Sequence, residues 1–355
     1  MAIGLILHAL TGILFSFFLH LLFHELGHML GGLLSGWNFL YLQIYNIVLV
    51  REERWFSLKR VVSRSFQCIM SPASLYSNPY VYNLGGCFAN LILSIFGLTG
   101  VFVGEKSIVI FLYAWSLFAM GVGFLMMNGI PRVKRICNDM ACHLYLKRDS
   151  VTRLCHNLQL ISAKYLIKGA TYRQLGEEML NLPSDEAYND ILAYQALLEY
   201  YYFLDMDDYW GMIGALGKVK DIEKLSDSIQ SCYYTELAYI NLMMKIRQYQ
   251  QLPMISKAGS PFVLPEALEI DNLEMFDLSK SGHTIFGIKG DLHFERLKAA
   301  YDTYRELLAG RRIRARRRLI KAIEDISNMT CIYRGEKEFC IRQLKVLLKS
   351  FLALE

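Results

Sequence analysis

Formal charge is scarce over the first third of this 355-residue chain. Residues 1–50 hold one charged side chain, Glu25, and residues 65–104 and 107–131 hold none. Proline and cysteine are also sparse, at 7 and 8, so a collagen-like repeat and a small disulfide scaffold are excluded. Charged residues make up 20% of the chain and hydrophobic ones 54%, which excludes intrinsic disorder. The shortage is uneven. The first 150 residues carry 11 Lys/Arg against 6 Asp/Glu, whereas the remaining 205 carry 27 against 27. The chain therefore divides into a membrane part, 1–149, and a water-soluble part, 150–355.

A helix that crosses a bilayer needs ~20 mostly apolar residues. Three stretches qualify, at about 2–35, 80–103 and 107–130. The first overshoots the hydrocarbon, so tilt or protrusion at one end is expected. It lacks a basic amino-terminal region, which makes a cleaved leader a poor account of it. Lys and Arg in short loops mark the cytoplasmic side. Arg51, Arg54, Lys59, Arg60 and Arg64 follow the first span, and Arg132, Lys134, Arg135, Lys147 and Arg148 follow the third. Only Glu105-Lys106 separates the second from the third. The expected topology has the amino terminus outside and the carboxyl-terminal domain in the cytoplasm. That compartment is reducing, which suits Cys155, Cys232, Cys331 and Cys340 as free thiols.

The lone charge of the first span lies in His24-Glu25-Leu26-Gly27-His28, an HExxH motif. On a helix, i and i+4 share a face, so both imidazoles can bind one tetrahedral Zn²⁺. Glu25, beside them, can act as general base toward the attacking water. An ionisable cluster inside an apolar span is costly and points to function. Two more polar groups fall at the same depth: Gly85-Gly86-Cys87-Phe88-Ala89-Asn90 near the start of the second span, and Asn128-Gly129-Ile130-Pro131 followed by Asn138-Asp139 after the third. Catalytic zinc usually has three protein ligands. Asp139 is the best-placed third, with Asp149, Cys137, Cys142 and His143 as nearby alternatives. His20, one turn before His24, reads as a pore-lining or packed histidine. Gly85 and Gly86 also suit a close approach of two helices.

HExxH on a first span, Gly-Gly-x-x-x-Asn on the next and Asn-x-x-Pro followed by Asn-Asp after the third resemble the site-2 protease family of intramembrane zinc metalloproteases. The resemblance covers about residues 1–145. It implies that His24, His28 and Asp139 bind zinc and Glu25 activates water. It also implies that Asn90, with Gly85 and Gly86, holds the substrate backbone or the oxyanion. The chain has Asp139-Met140 where the family usually has Asp-Gly, and a longer gap between Pro131 and Asp139 than many members. The implied substrate is a transmembrane or hydrophobic peptide cut near the cytoplasmic face of a bacterial cell membrane.

Residues 38–56 are rich in aromatic and β-branched side chains, which suits a strand pair at the interface. Such an edge can pair with an unwound substrate, or simply pack with Trp37, Tyr41, Tyr45 and Trp55 in an aromatic belt. From about 150 the pattern is helical, for example over 186–204 and 235–251, with breaks at Pro183, 205–208 and Pro253. Paired helices in series suggest an all-α domain resembling tetratricopeptide repeats, able to bind a partner protein, although no 34-residue signature recurs. Residues 254–290 are the least regular stretch, with a hairpin or turn expected over 285–291. A dense basic run, Arg311, Arg312, Arg314, Arg316, Arg317, Arg318 and Lys321, suits an anionic leaflet or an acidic partner better than nucleic acid in a membrane-tethered chain.

The expected fold is thus mainly α, a polytopic membrane protein with a three-helix core and a small β element, then a soluble helical domain. The expected activity is zinc-dependent intramembrane proteolysis. The competing expectation is a catalytically silent membrane scaffold, motivated by Met140 and the large helical domain.

Overall fold

The computed structural model describes residues 2–52, 55–104, 107–249 and 291–352. Glu105-Lys106, the irregular stretch 254–290 with its expected turn, Pro253 and His283 lie outside the described residues. The described chain is mainly helical with one two-stranded sheet. Two compact units make it up: one takes the residues up to Lys59 and Arg64–Ile161, the other Arg60–Ser63 and Ser162 onward.

The first unit is built on three helices, α1 (Ala2–Leu34), α2 (Tyr80–Val103) and α3 (Ile108–Gly129). All three are long and apolar enough to cross a membrane. With no charged side chain to solvate except Glu25, and no proline within them, nothing in these segments interrupts the helical hydrogen-bond ladder. Each packs on the other two. The α1–α2 crossing is close because Gly27 and Gly85 face each other, and a Cβ on either would collide with the other's backbone.

Between α1 and α2 runs a hairpin of β1 (Asn38–Arg51) and β2 (Phe56–Ser71). The Glu52 N–H donates to the Trp55 carbonyl at 2.9 Å and closes the turn, so the two strands are antiparallel. This pair is longer than the short strands expected over 38–56. The second strand hides in the sequence because Lys59, Arg60, Ser63, Arg64 and Ser65 make much of it polar. At the sheet's inner end Trp37, Phe39, Cys68, Met70 and Tyr82 form a buried cluster. There the Tyr82 hydroxyl donates to the Cys68 carbonyl at 2.8 Å. The unit continues through α4 (Asp139–Arg148) into α5 (Ser150–Lys168).

The second unit contains α6 (Tyr172–Leu175), α7 (Glu177–Leu180), α8 (Asp190–Asp205), α9 (Tyr209–Gly217), α10 (Asp227–Tyr249), α11 (Leu292–Leu308), α12 (Arg312–Asn328) and α13 (Arg334–Leu352). Consecutive members α8–α9, α10–α11, α11–α12 and α12–α13 pack on one another. The α8 helix starts at 190 rather than 186. Asn189 caps it through Ile191 and Leu192 N–H, and the Ala187 N–H is taken by the Lys218 carbonyl at 2.8 Å. Leucines, tyrosines and Phe339 fill the core. Within it lies a polar network: the His293 ring lies between the Glu236 and Glu336 carboxylates at 2.8 Å each, Arg296 pairs with Glu236, and the Tyr201 and Tyr172 hydroxyls donate to Glu236 and Glu336. Arg296 is fully buried and lies 4.0 Å over the Tyr239 ring. On the basic α12, Arg311 and Arg318 pair with Glu306, and Arg318 also reaches Asp302.

Candidate metal centre

His24 and His28 stand one turn apart on α1, and their rings meet edge to face with centroids 4.8 Å apart. The backbone that makes room for them is Gly86 on α2, where a Cβ would lie 2.6 Å from both His24 Nδ1 and His28 Nε2. Glycine is required there by the two rings. Asp139 arrives from the start of α4. Its carboxylate oxygen Oδ2 lies 3.1 Å from His24 Nε2 and 3.5 Å from His28 Nε2, and the two Nε2 atoms are 3.2 Å apart. Among the described residues this is the one group of three or more His, Cys, Asp or Glu side chains that converge in this way.

Two asparagines put Asp139 in place. Asn138 caps α4, accepting from the Ala141 N–H at 3.1 Å, and its amide donates to the Met127 and Ile130 carbonyls at 2.7 Å. The turn after α3 is thereby tied back to α3 itself. Asn83 on α2 donates to the Asp139 carbonyl at 2.7 Å, and the Cys87 thiol approaches Oδ2 at 3.7 Å. Burial of Asp139 opposes its ionisation, but hydrogen bonds from His24 and His28 hold its carboxyl well below the usual carboxylate range.

His28 Nδ1–H donates to the Tyr82 carbonyl at 2.8 Å, which makes Nε2 the nitrogen that faces the cluster. His24 Nδ1 lies 3.0 Å from the Asn90 amide. The other end of that amide is 3.0 Å from His20 Nδ1, and His20 Nε2 is 2.9 Å from the Leu117 carbonyl of α3. Glu25 is buried beside the pair, its carboxyl facing the Cys68 backbone of β2.

The donor set suits zinc in kind and spacing. Zn–N bonds of ~2.0–2.1 Å in a tetrahedron separate neighbouring ligand atoms by ~3.3 Å, close to the three distances here. The same atoms are at hydrogen-bonding separations, and they are the ones that would hold a divalent ion. The set offers three protein ligands, with a fourth tetrahedral position left over for water or substrate.

The structure thus brings together His24, His28, Asp139, Glu25, Gly86 and Asn90, while Gly85 serves the helix crossing. The alternative third ligands are engaged elsewhere. Asp149 accepts from the Val151 and Thr152 N–H groups, Cys137 and Cys142 face each other at 3.0 Å, and His143 packs on Tyr80. Sequence reasoning passes over Asn83, two residues before the Gly85-Gly86 pair, whereas His20 is buried and packed on Phe124, as expected. The polar side chains His20, Asn83 and Asn90 inside charge-free spans were the available signal.

No protein-family model matches the chain, and neither a curated protein nor a solved structure matches it.

Proposed function

We propose that this chain is an intramembrane zinc metalloprotease of the site-2 protease kind, acting on a transmembrane or hydrophobic peptide. The observation that carries the proposal is the convergence of His24 Nε2, His28 Nε2 and Asp139 Oδ2 within 3.1–3.5 Å at one end of three apolar helices. Zinc, when bound, supplies a Lewis acid that polarises the scissile carbonyl and acidifies the attacking water. Glu25 takes the proton that this water loses as its oxygen bonds to the carbonyl carbon, then returns it to the leaving nitrogen as the C–N bond breaks. Burial of Glu25 keeps bulk water from competing for that proton. The strand pair offers an edge on which an unwound substrate segment can lie extended. The helices of the second unit, of which α8–α9 and α10 through α13 pack as successive neighbours, serve as a surface for a partner protein, and the exposed cations of α12 favour an anionic leaflet. A bacterial membrane, with the second unit in the cytoplasm, is the setting that the basic loops favour.

The test is zinc per chain in the detergent-purified protein and its Asp139→Ala variant. The proposal requires about one zinc in the wild type, by the three-ligand argument, and less in the variant. A wild type that takes up no zinc when metal is supplied would leave the scaffold as the better account. Glu25→Gln, which removes the base and no ligand, is expected to retain zinc and lose at least ~10²-fold in cleavage rate.

A further inference from the structure

We propose that His20 and Asn90 are positioning residues that keep a proton on His24 Nδ1, so that Nε2 is the nitrogen left to bind a metal. The inference rests on the zinc-site reading above, and concerns two side chains that hold no metal themselves.

The chain of hydrogen bonds has one fixed end. The Leu117 carbonyl can only accept, so His20 Nε2, 2.9 Å away, carries the proton. A singly protonated His20 then presents a bare Nδ1, which needs a donor. The only group at hydrogen-bonding distance from it among the described contacts is the Asn90 amide, at 3.0 Å. An amide's oxygen and nitrogen are told apart by their partners. Of the two settings of the amide, which differ by a half-turn, the His20 tautomer demands the one with NH₂ toward His20 and Oδ1 toward His24. Oδ1 then accepts from His24 Nδ1–H across the same 3.0 Å. His24 Nε2, which faces Asp139 and His28, is then the nitrogen that offers its lone pair to a bound metal and that otherwise donates to the Asp139 carboxylate. The opposite order of donors would put a second proton on His20, a buried cation between apolar helices with no carboxylate among its hydrogen-bond partners.

The surroundings hold both residues in this role. His20 and Asn90 are each 0% exposed. The His20 ring stacks on Phe124 at 5.6 Å and 17°, and Gly121 clears the space, since a Cβ there would lie 2.7 Å from His20 Cε1. Ser94 donates to the Asn90 carbonyl at 2.8 Å on the next turn of α2. Each zinc-facing histidine is thus oriented by a main-chain carbonyl: His28 directly by Tyr82, and His24 through Asn90 and His20 by Leu117. An Asn90 committed to both rings has its amide occupied by this task rather than turned toward a substrate.

The test uses the full chain in detergent with ¹⁵N-labelled histidine, first without metal. The His24 signals, identified by their loss in His24→Ala, are expected to show a protonated Nδ1 in the wild type, and the His20 signals, identified by their loss in His20→Phe, a protonated Nε2 with a bare Nδ1. Asn90→Leu should erase that preference and weaken zinc, measured by chelator competition, by about 10–100-fold. Asn90→Asp keeps an acceptor against Nδ1–H and should recover most of the affinity. His20→Phe, which keeps the ring stack and removes both nitrogens, should also weaken zinc, by about 10-fold. A wild-type His24 with a bare Nδ1 overturns the relay, as do equal losses in the Leu and Asp variants or none in either. A wild type that binds no zinc yet carries Nδ1–H on His24 overturns the metalloprotease and leaves the relay standing.

Discussion

Gly86 shows how narrowly the proposed metal centre is drawn. A methyl group there would meet His24 Cε1 at 2.5 Å and His28 Nε2 at 2.6 Å, about 1 Å inside ordinary contact, so one or both rings must move. Displacements of that size cost about 10²-fold in rate when they affect reacting groups. Gly86→Ala is therefore expected to lower cleavage by about that factor while the chain stays monodisperse in detergent. An alanine variant with wild-type activity would show that the rings are not held where the ligand geometry needs them. The Tyr82 carbonyl matters at the same scale and is beyond the reach of side-chain mutation, since any residue at 82 supplies one. Sequence inspection cannot register such a group.

Helices and strands were legible to different degrees, for physical reasons. The three apolar helices announce themselves because a span must shed charge, and 65–104 and 107–131 do so completely. HExxH fixes two positions on one helix face by spacing alone. The third position is harder, because Asp139 reaches the histidines only through the Asn138 and Asn83 hydrogen bonds, which pair residues 11 and 56 apart along the chain. The second strand was obscured by its polar alternation, and the start of α8 by the capping of Asn189. The α1–α2 crossing is a consequence of elements meeting, and its test belongs here. Gly85→Leu places a side chain against the Gly27 backbone, where neither helix can yield locally. It is expected to force the helices apart and cause early aggregation on heating in detergent, with zinc lost in parallel. An unchanged midpoint would mean that the crossing tolerates separation. Gly4, which has open space around it, is the control: Gly4→Leu should change neither property.

At the scale of the molecule, the second unit keeps its own buried charges in balance. Burial works against a charged His293, but hydrogen bonds and charge from Glu236 and Glu336 raise it to about 10. Burial likewise opposes ionisation of Glu236, yet Arg296 and His293 bring it down to about 2. For the raised histidine, the stabilisation is complete below its unfolded value near 6.5 and lost as pH climbs through about 10. For the depressed glutamate it is present above about 4.5 and lost as pH falls toward 2. Protease resistance of this unit should therefore be greatest between about 4.5 and 6.5, and decline as pH rises from there toward 10 and as it falls toward 2. Arg296→Met removes one of the two cations that hold buried Glu236, leaving His293, and is expected to cost up to about 3–5 kcal/mol, read as a lowered denaturation midpoint. A flat pH profile together with an unshifted midpoint would show that the network carries no net stability.

The length of α1 has a consequence for the metal centre. Its 33 residues make a rod of ~50 Å, against a hydrocarbon layer of ~30 Å. About 20 Å must lean, kink or emerge, and lipid thickness helps to decide how. Because His24 lies ~15 Å along the rod from its end at Leu34, the depth of the centre is shared between protein and lipid rather than fixed by the fold alone. Zinc should be stripped by a water-soluble chelator faster from short-chain bilayers than from long-chain ones. The membrane would then set how easily water reaches the scissile bond, making acyl-chain length a rate variable for a site whose ligands never change.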